Sequence, residues 1–377
     1  MKVLQLISSG GYYGAEAVVV NLSKSLNALG NSSTVGAFDN THSSNLEVAE
    51  TARREGLGVE LIACRGRVDW RAVRRIQELA RREQIDVIHA HGYKAQIYGC
   101  LAAGSLSSKL VATCHGYHSR FSESGRTVAD LRQRIYGALD RALLSRFDQV
   151  VATSNILADS LRSSGISGEI LTVITNGVDS DGFSAAAPSE DLERLKCGRL
   201  AIGLVGRLTD GKGHRQLFEA AKDILVRHPA TLVLVIGEGP LRASLEGLAR
   251  EFGVERSVFF TGKRRDMPNV YSALDIVALP SLFEGMPMVI LEALAARKPV
   301  IATRVGAVPD VIIDESTGLL IEPGGVGELA RAMARLLENA ELRRSLAEEG
   351  HTFLNTHFSA ASMAEKYLKV YERAKLQ

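Results

Sequence analysis

Two carboxylates flank an irregular loop in the second half of the chain. Glu284 comes before Gly285 and Pro287, and Glu292 lies within Met288–Ala296, which the spacing of apolar residues predicts to be a helix. Carboxylate oxygens accept hydrogen bonds from ribose and hexose hydroxyls, and free amides at a helix start favour phosphate oxygens. An isolated Glu in such a setting is usually a surface residue. Two of them around one loop and one helix start indicate a site for sugar hydroxyls and phosphate.

Two cations follow another predicted strand, Leu200–Val205. Arg207 and Lys212 lie on the glycine-rich turn Gly206–Gly213. A guanidinium that makes forked contacts and a mobile ammonium together suit a diphosphate. The spacing is not that of a Walker A loop, which disfavours ATP hydrolysis. A solvated basic turn is the alternative.

Histidines end two strands predicted in the first half. His115 follows Leu110–Cys114 directly, and His89 and His91 end the strand before it. Ligands of parallel sheets bind beyond the carboxyl ends of the strands, so His115 is a candidate ligand contact. For each of the three histidines, a purely structural role is the alternative.

A glycine-rich loop links the first predicted strand to the first helix. It contains Gly10, Gly11 and Gly14, which allow the backbone to approach a phosphate or a sugar. Its spacing is not G-x-G-x-x-G. Asp39 follows the second strand, where an NAD enzyme has a ribose-binding acid, so an NAD-dependent dehydrogenase is an alternative function for the protein. For the glycine-rich loop itself, a plain tight turn without a ligand is the alternative.

Short β-branched runs alternate with helical patterns along the whole chain, which predicts parallel sheets covered by helices on both faces. The fold class is therefore α/β, with two Rossmann-like doubly wound domains facing each other across a cleft. The first domain is predicted over 1–180 and the second over 199–358, and the irregular stretch Ser180–Gly198 is interpreted as the linker. The pattern at Ser359–Lys375 predicts a helix within the final segment, 359–377. We expect this segment to pack back onto the first domain. The predicted strands are Val3–Ser8, Thr34–Phe38, Val59–Ile62, Val87–His89, Leu110–Cys114, Gln149–Thr153, Ile170–Ile174, Leu200–Val205, Thr231–Ile236, Val258–Thr261, Ile276–Leu279, Pro299–Thr303 and Gly318–Ile321.

Charge and composition narrow the function further. The chain has 377 residues and a net charge of +2, which argues against a nucleic-acid partner. Positive charge is concentrated at 51–85, with nine arginines and five acids, and at 115–147, with six arginines and three acids. These stretches are either solvated helix faces or a basic surface for anionic lipid headgroups or a phosphate-bearing acceptor.

Cysteine use and hydropathy suggest the compartment. The four cysteines, Cys64, Cys100, Cys114 and Cys197, form no C-x-x-C pair, so reduced thiols are expected. The N-terminus lacks the features of a signal peptide, and no run of about 18 apolar residues could cross a bilayer. We expect a cytoplasmic protein, with any membrane contact peripheral and on the inner face.

Taken together and in order, these motifs resemble the retaining glycosyltransferases of family four, which have the GT-B fold. The resemblance covers nearly the whole chain. The residues that carry it are Gly10-Gly11 with Ala15-Glu16, Thr113–Gly116, Asn176–Asp179, Gly206-Arg207 with Lys212-Gly213, Gly237–Pro240, Thr261-Gly262, the E-x(7)-E segment Glu284–Glu292, Gly306–Asp310 and Thr317–Leu319.

The resemblance implies a role for each matched residue. Arg207 and Lys212 would hold the donor diphosphate and stabilise the departing nucleotide, while Glu292 would bind the ribose. Glu284 and His115 would contact the transferred sugar, and these two with the two cations are the catalytic candidates. The remaining donor-binding candidates are Gly11 and Gly14 in the first loop and Gly206 next to Arg207. Gly262 and Lys263 would lie near the base, together with Arg264. Gly285, Met286, Met288 and Val289 would lie around the sugar, with Met286 and Met288 shaping its pocket.

The reaction implied is transfer of a hexosyl group from a UDP- or GDP-sugar to a hydroxyl of a glycan, a lipid-linked sugar or a small molecule, with the anomeric configuration kept. It would serve cell-surface polysaccharide or glycoconjugate synthesis. No D-x-D motif stands out, so neither a catalytic metal nor a further cofactor is expected. The chain has Ala307 and Asp310 where the family often has Gly and Glu, and Tyr12 and Tyr13 are additional in the first loop. A sugar-nucleotide epimerase of the same fold, an NAD-dependent dehydrogenase and an inactive sugar-nucleotide-binding protein are the alternatives.

Overall fold

The computed structural model describes residues 1–41, 45–66, 68–116 and 141–376. Within the second basic stretch of the sequence, 117–140 lie outside the described residues. Contacts divide the chain into two units, one made of 1–177 with 360–377 and one made of 178–359. The elements of the first unit are β1 (Lys2–Ile7), α1 (Gly14–Ala28), β2 (Ser32–Asn40), α2 (Glu47–Arg54), β3 (Gly58–Cys64), α3 (Trp70–Glu83), β4 (Val87–His91), α4 (Tyr93–Ala103), β5 (Lys109–Cys114), β6 (Gln149–Ala152), α5 (Asn155–Ser163) and β7 (Leu171–Val173).

The second unit has its own sheet. Its elements are α6 (Asp181–Ser184), α7 (Glu190–Lys196), β8 (Leu200–Val205), α8 (His214–Arg227), β9 (Thr231–Ile236), α9 (Arg242–Glu251), β10 (Val258–Gly262), α10 (Met267–Ala273), β11 (Ile276–Leu279), α11 (Met288–Ala295), β12 (Val300–Thr303), α12 (Val308–Val311), β13 (Leu319–Ile321), α13 (Val326–Glu338) and α14 (Ala340–His357). The chain ends with α15 (Ala360–Leu376), which belongs to the first unit.

Both sheets are parallel and have the strand order expected of Rossmann-like domains. The first sheet has seven strands in the order β3-β2-β1-β4-β5-β6-β7, and the second has six in the order β10-β9-β8-β11-β12-β13. In each, the order reverses beside the first strand of the unit, which is where such sheets bind ligands at their carboxyl edge. Two Rossmann-like doubly wound domains are thereby confirmed.

The strands form where apolar, β-branched runs can be buried on both faces. All residues of β9 and β11 are buried, for example, and helices cover the sheets with their apolar sides. Each unit has its own core, one including Leu4, Ile88 and Tyr98, the other including Ile202, Phe218 and Leu336.

The stretch that the sequence suggested as a linker is folded. Residues 181–198 contain α6 and α7 and lie in the second unit, whose first residue is Val178. Leu192 of α7 is buried, and Asp191 of the same helix forms an ion pair with Arg264, so a segment without a strand signal is nevertheless held on the domain.

Candidate active site

The carboxyl edge of the second sheet gathers most of the predicted donor-binding residues. Because all its strands are parallel, the loops that leave them lie at one edge. The predicted residues at the end of β10, on these loops, or in the helix that follows one of them are Gly206, Arg207, Lys212, Gly262, Lys263, Glu284, Gly285, Met286, Met288, Val289 and Glu292. Gly11, Gly14 and His115 lie at the carboxyl edge of the first sheet instead.

Lys212 and Glu284 are in direct contact. Lys212 Nζ lies 2.7 Å from Glu284 Oε1, and Ser281 Oγ donates to the same oxygen at 2.7 Å. The Ser281 carbonyl in turn accepts a hydrogen bond from Thr303 Oγ1, and both residues are buried. The Glu284 side chain is 8% exposed and that of Lys212 28%. The structure therefore brings a cation and a carboxylate from distant loops to one point, while their roles toward a donor stay predictions.

Two glycines let neighbouring loops touch the Glu284 loop through their backbones. At Gly213, φ is +76° and a Cβ would lie 2.0 Å from the carbonyl oxygen of Pro280. At Gly306, φ is +54° and a Cβ would lie 1.9 Å from the carbonyl oxygen of Glu284. Any side chain at either position would push the loops apart. The loop that carries Glu284 is thus fixed on two sides.

The helix after this loop begins as predicted. Pro287 precedes the first residue of α11, and its extended backbone leaves the first amides of the helix without intrahelical acceptors. Met286 and Met288 are each only 5% exposed. That they shape a sugar pocket stays a prediction.

Glu292 is held by a tyrosine that the sequence analysis did not single out. Tyr271 Oη donates to Glu292 Oε2 at 2.8 Å, and Tyr271 is fully buried. Burial raises the pKa of Glu292, and the hydrogen bond from Tyr271 opposes that rise. Glu292 thus has one oxygen fixed from inside the domain, an arrangement that orients its carboxylate.

The segment 262–264, predicted to lie near the nucleotide base, makes hydrogen bonds and ion pairs to other parts of the protein. The carbonyl of Gly262 accepts the amide of Gly237 at 3.0 Å. Arg264 is paired with Asp191 and Asp266, which raise the pKa of its guanidinium. Arg264 therefore serves to anchor this loop and α7.

The glycine-rich loop of the first unit uses its amides internally. The amide of Gly11 donates to Ser9 Oγ at 3.1 Å, that of Tyr12 to Glu47 Oε2 at 2.9 Å and that of Tyr13 to Glu16 Oε2 at 3.0 Å. Two carboxylates thus accept amides of this loop, and the predicted approach of its backbone to a phosphate or a sugar stays a prediction.

His115 is joined to the other two histidines of the first unit. Its Nε2 lies 2.9 Å from Nδ1 of His91, and the His89 and His91 rings are tilted by 45° with centroids 4.0 Å apart. Burial lowers the pKa of His115 to about 4 and holds those of His89 and His91 well below 6.5. His89 and His91 are fully enclosed, as the structural alternative for them proposed, and all three are neutral near pH 7.

Several residues that fix the site were missed from the sequence. Ser281, Thr303 and Tyr271 orient the two glutamates, and His214, 3% exposed at the start of α8, follows the Lys212 loop. Burial, with a smaller contribution from Lys212, lowers the pKa of His214 to about 4. A polar residue beside a predicted strand end was the available signal for Ser281 and Thr303.

Two further findings concern metals and membranes. Within the described ranges, no group of three or more His, Cys, Asp or Glu side chains could hold a metal ion. Across the same ranges, every helix is too short or too polar to cross a bilayer. Metal independence stays a prediction.

Comparison with known proteins identifies the family. Residues 12–181 match the family model "Glycosyltransferase Family 4", and residues 193–353 match "Glycosyl transferases group 1". The chain is 31% identical to the 2-deoxystreptamine glucosyltransferase of Streptomyces kanamyceticus over 78% of this chain and 79% of that protein.

Two other similarities support this assignment. The chain is 27% identical to the UDP-Gal:alpha-D-GlcNAc-diphosphoundecaprenol alpha-1,3-galactosyltransferase of Escherichia coli over 73% of this chain and 72% of that protein. The structure of Anabaena HepE in complex with UDP-glucose has the same fold, with a TM-score of 0.82 and 22% identity over 99% of both chains. The chain thus belongs to the group 1 glycosyltransferases of family 4, enzymes of the transferase class EC 2.4 with the GT-B fold.

Proposed function

We propose that this enzyme transfers a hexosyl group from a UDP-sugar to an acceptor hydroxyl and keeps the anomeric configuration. The observation that carries this proposal is the Lys212–Glu284 contact beside the N-terminus of α11. It offers a cation, a carboxylate and the amides at the start of a helix together, which suit the phosphates and the sugar of one donor molecule.

The charges have distinct tasks. Lys212 and Arg207, on one loop, bind the diphosphate and stabilise the negative charge that it gains as the glycosidic bond breaks. The amides at the start of α11 add the positive end of a helix dipole. Glu284 accepts hydrogen bonds from sugar hydroxyls, and its attachment to Ser281 keeps it in place.

The remaining predicted residues bind the nucleoside and a hydroxyl of the transferred sugar. Glu292 accepts the ribose hydroxyls through Oε1, because Oε2 is engaged by Tyr271. Gly262 and Lys263 line the base. His115 contributes a hydrogen bond to a sugar hydroxyl, whereas the loop at Gly11 and Gly14, with its amides bonded to Glu16 and Glu47, has a minor part in phosphate binding.

The chemical step needs no protein nucleophile. The bond between the anomeric carbon and the β-phosphate oxygen breaks, and a bond to the acceptor oxygen forms on the same face. The acceptor proton passes to the departing phosphate oxygen, so that a nucleoside diphosphate and a glycoside are the products. Lys212 and Arg207 form no covalent bond to the substrate and supply only electrostatic stabilisation.

The names of related proteins guide the choice of donor and acceptor. A UDP-hexose is the first donor to test, because the E. coli relative is named for UDP-Gal and HepE is solved with UDP-glucose. Its acceptor is a hydroxyl on a small molecule or on a lipid-linked sugar, as the names of the S. kanamyceticus and E. coli relatives respectively suggest.

A lipid-linked acceptor requires access to a membrane surface, and the start of α3 suits that contact. Trp70, the single tryptophan of the chain, is 62% exposed, and Val68 is 54% exposed. Arg71 and Arg74 are exposed next to them. An amphipathic ring beside cations is the pattern of peripheral binding to anionic lipid.

The fluorescence of Trp70 tests this surface directly. Vesicles of phosphatidylglycerol and phosphatidylcholine should shift its emission to shorter wavelength, and 0.5 M salt should reverse the shift. Vesicles of pure phosphatidylcholine are the control. Unchanged emission with the anionic vesicles would remove the membrane contact from the proposal.

The central test is a donor screen on the whole protein. UDP-glucose, UDP-galactose, UDP-N-acetylglucosamine and GDP-mannose are incubated with 2-deoxystreptamine or a synthetic lipid-diphosphate sugar, and released nucleotide is measured. The product's anomeric coupling constant by NMR reports the stereochemistry. Inversion of configuration would contradict the retaining mechanism.

The same screen separates the alternatives. Conversion of a UDP-sugar to its epimer without an acceptor would identify an epimerase, and an absorbance change with a nicotinamide cofactor would identify a dehydrogenase. UDP binding without any turnover across the panel would favour the inactive binding protein.

A further inference from the structure

A continuous run of buried hydrogen bonds connects His115 to the last helix of the chain. All its members lie in the first unit, and its two tyrosines come from α15. In order from His115 they are His91, Gln5, Tyr371, His89, Thr113 and Tyr367.

The part nearest to His115 has short contacts. His91 Nδ1 lies 2.9 Å from His115 Nε2, and His91 Nε2 lies 2.8 Å from Gln5 Oε1. The amide nitrogen of Gln5 donates to Tyr371 Oη at 3.4 Å. His91 thus stands between His115 and Gln5 and uses both of its ring nitrogens.

The fold makes this arrangement possible. Gln5 on β1 is the register partner of His89 on the adjacent strand β4, and alternate residues of a strand share a face, which places His91 beside His89. Tyr367 and Tyr371 are four residues apart on α15 and therefore lie on one side of that helix.

Burial makes the run sensitive to the direction of each hydrogen bond. Gln5 and His89 are 0% exposed and His91 is 2% exposed, so an unpaired donor here is costly. Burial also keeps all three histidines uncharged near neutral pH. A neutral imidazole has one donor and one acceptor nitrogen. If one ring nitrogen donates a hydrogen bond, the other must therefore accept one.

Gln5 sets that direction. Its carbonyl oxygen can only accept, so the proton of His91 lies on Nε2 and its Nδ1 is an acceptor. His91 Nδ1 then requires the proton of His115 on Nε2. His115 Nδ1 is left without a proton, and among the described residues it has no hydrogen-bond partner although it is buried.

We propose that Gln5 and His91 are positioning residues that hold His115 in its Nε2–H tautomer, so that Nδ1 accepts the hydrogen of a substrate hydroxyl. This rests on the proposed function, because the hydroxyl belongs to the bound sugar. Tyr371 supports the arrangement by accepting from the Gln5 amide and donating to His89 Nδ1. No proton is transferred, and the relay acts on orientation alone.

The first experiment observes the tautomer without using activity. Protein labelled with ¹⁵N-histidine is examined by long-range ¹H–¹⁵N correlation at pH 7.5, and a His115→Ala sample assigns the ring. The expected signature is a protonated Nε2 and an unprotonated Nδ1 on His115. A proton on His115 Nδ1 would overturn the proposal.

Variants then test which residue sets the tautomer of His115. Gln5→Leu removes the acceptor of His91 Nε2–H and should move the His115 proton toward Nδ1, and Tyr371→Phe should do so in part. Tyr367→Phe is the matched control, because it removes a hydroxyl of equal burial from the same helix that contacts only Thr113 in the run. If the His115 tautomer is unchanged in folded Gln5→Leu and Tyr371→Phe protein, Gln5 does not set it. If Gln5→Leu does not fold, the result for Tyr371→Phe alone decides.

Activity tests the link to the substrate. In His91→Asn the amide takes the position of Nδ1 and keeps the bond to His115, whereas in His91→Gln the amide takes the position of Nε2 and keeps only the bond to Gln5. We expect a smaller loss of kcat/KM for His91→Asn, whose amide still offers His115 an acceptor but is no longer oriented by Gln5. For His91→Gln we expect a loss of about tenfold, the usual effect of one hydrogen bond. Equal activity of the two variants would overturn the proposal. Absence of transfer by the wild-type enzyme would instead contradict the proposed function, which the NMR result does not depend on.

Discussion

The ammonium of Lys212 and the carboxylate of Glu284 neutralise each other at a separation of 2.7 Å, although they are 72 positions apart in the sequence. Glu284 is the more enclosed partner, with 8% of its side chain exposed. Charges so enclosed are stable only with a partner. The diphosphate that Lys212 is proposed to bind would therefore compete with Glu284 for the same ammonium.

Removing the ammonium should affect turnover strongly. Lys212→Ala is expected to lower kcat by about 10²-fold or more, the effect of losing one group that stabilises transition-state charge. Steady-state kinetics of nucleotide release measure it. Lys24→Ala is the matched control, since Lys24 lies 2.7 Å from Glu55 in a surface ion pair. Full activity of Lys212→Ala would remove this residue from the mechanism.

The same pair makes a prediction about stability. Lys212→Ala leaves Glu284 with Ser281 as its hydrogen-bond donor and should lower the melting temperature, whereas Lys212→Ala with Glu284→Gln should lower it less than the two single changes together. Thermal unfolding of the four proteins measures the coupling. Strict additivity would mean that the contact contributes nothing to the free energy of unfolding.

Nucleotide affinity should depend on pH through Glu292. Burial raises the pKa of this carboxyl above its usual 4.5, and the hydrogen bond from Tyr271 opposes the rise. The ionised form accepts the ribose hydroxyls, so UDP affinity should fall as the pH drops through the raised pKa. Tyr271→Phe should move that fall to higher pH. Calorimetric titration with UDP between pH 4.5 and 8 measures the affinity of the wild type and of Tyr271→Phe. Tyr367→Phe, in the other unit, is the control. If the affinity of Tyr271→Phe and that of Tyr367→Phe depend on pH in the same way, Tyr271 does not influence the pKa of Glu292.

Acid should destabilise the first unit. Burial lowers the pKa of His115 to about 4, and unfolding returns it to about 6.5. Between these values the unfolded chain binds more protons, so stability should decrease as the pH falls from 6.5 toward 4. Melting temperatures from pH 7.5 to 5 measure the decrease, which His115→Asn should reduce and the exposed His357→Asn should not. A pH dependence equal in both variants would contradict the assignment to His115.

Gly306 should tolerate no side chain. In Gly306→Ala the new methyl meets the Glu284 carbonyl oxygen, so both the melting temperature and the transfer rate should drop. Gly324→Ala is the matched control, because φ is +77° there but nothing lies within 4 Å of the added Cβ. Its cost should be only the backbone strain of about 1 kcal/mol. Equal effects of the two changes on activity would mean that the backbone contact does not position Glu284.

The sequence predicted every strand of both sheets within one or two residues at each end, because buried parallel strands are short apolar runs between glycine-rich turns. It also located the loops of the second unit, since the residues that a diphosphate and a sugar need are charged or glycine and stand out from the apolar runs beside them.

The polar interior of the first unit was not predictable in the same way. His89 and Tyr371 form a hydrogen bond across 282 residues, and no local pattern relates them. The one available signal was Gln5 in the apolar run Val3–Ile7, where an amide must find a buried partner. The folded segment at 181–198 was also missed, because α6 and α7 are too short to show a helical period of apolar residues. Buried Leu192 and the ion pair of Asp191 both hold α7 on the domain.

The position of α15 has a consequence for how this protein is made. The second unit is one contiguous segment, 178–359, whereas the first unit needs residues from both ends of the chain. During synthesis, the strands that hold Gln5 and His89 leave the ribosome before α15, so Tyr371 is absent until that helix emerges. The first unit can therefore be completed only after the whole second unit has been synthesised.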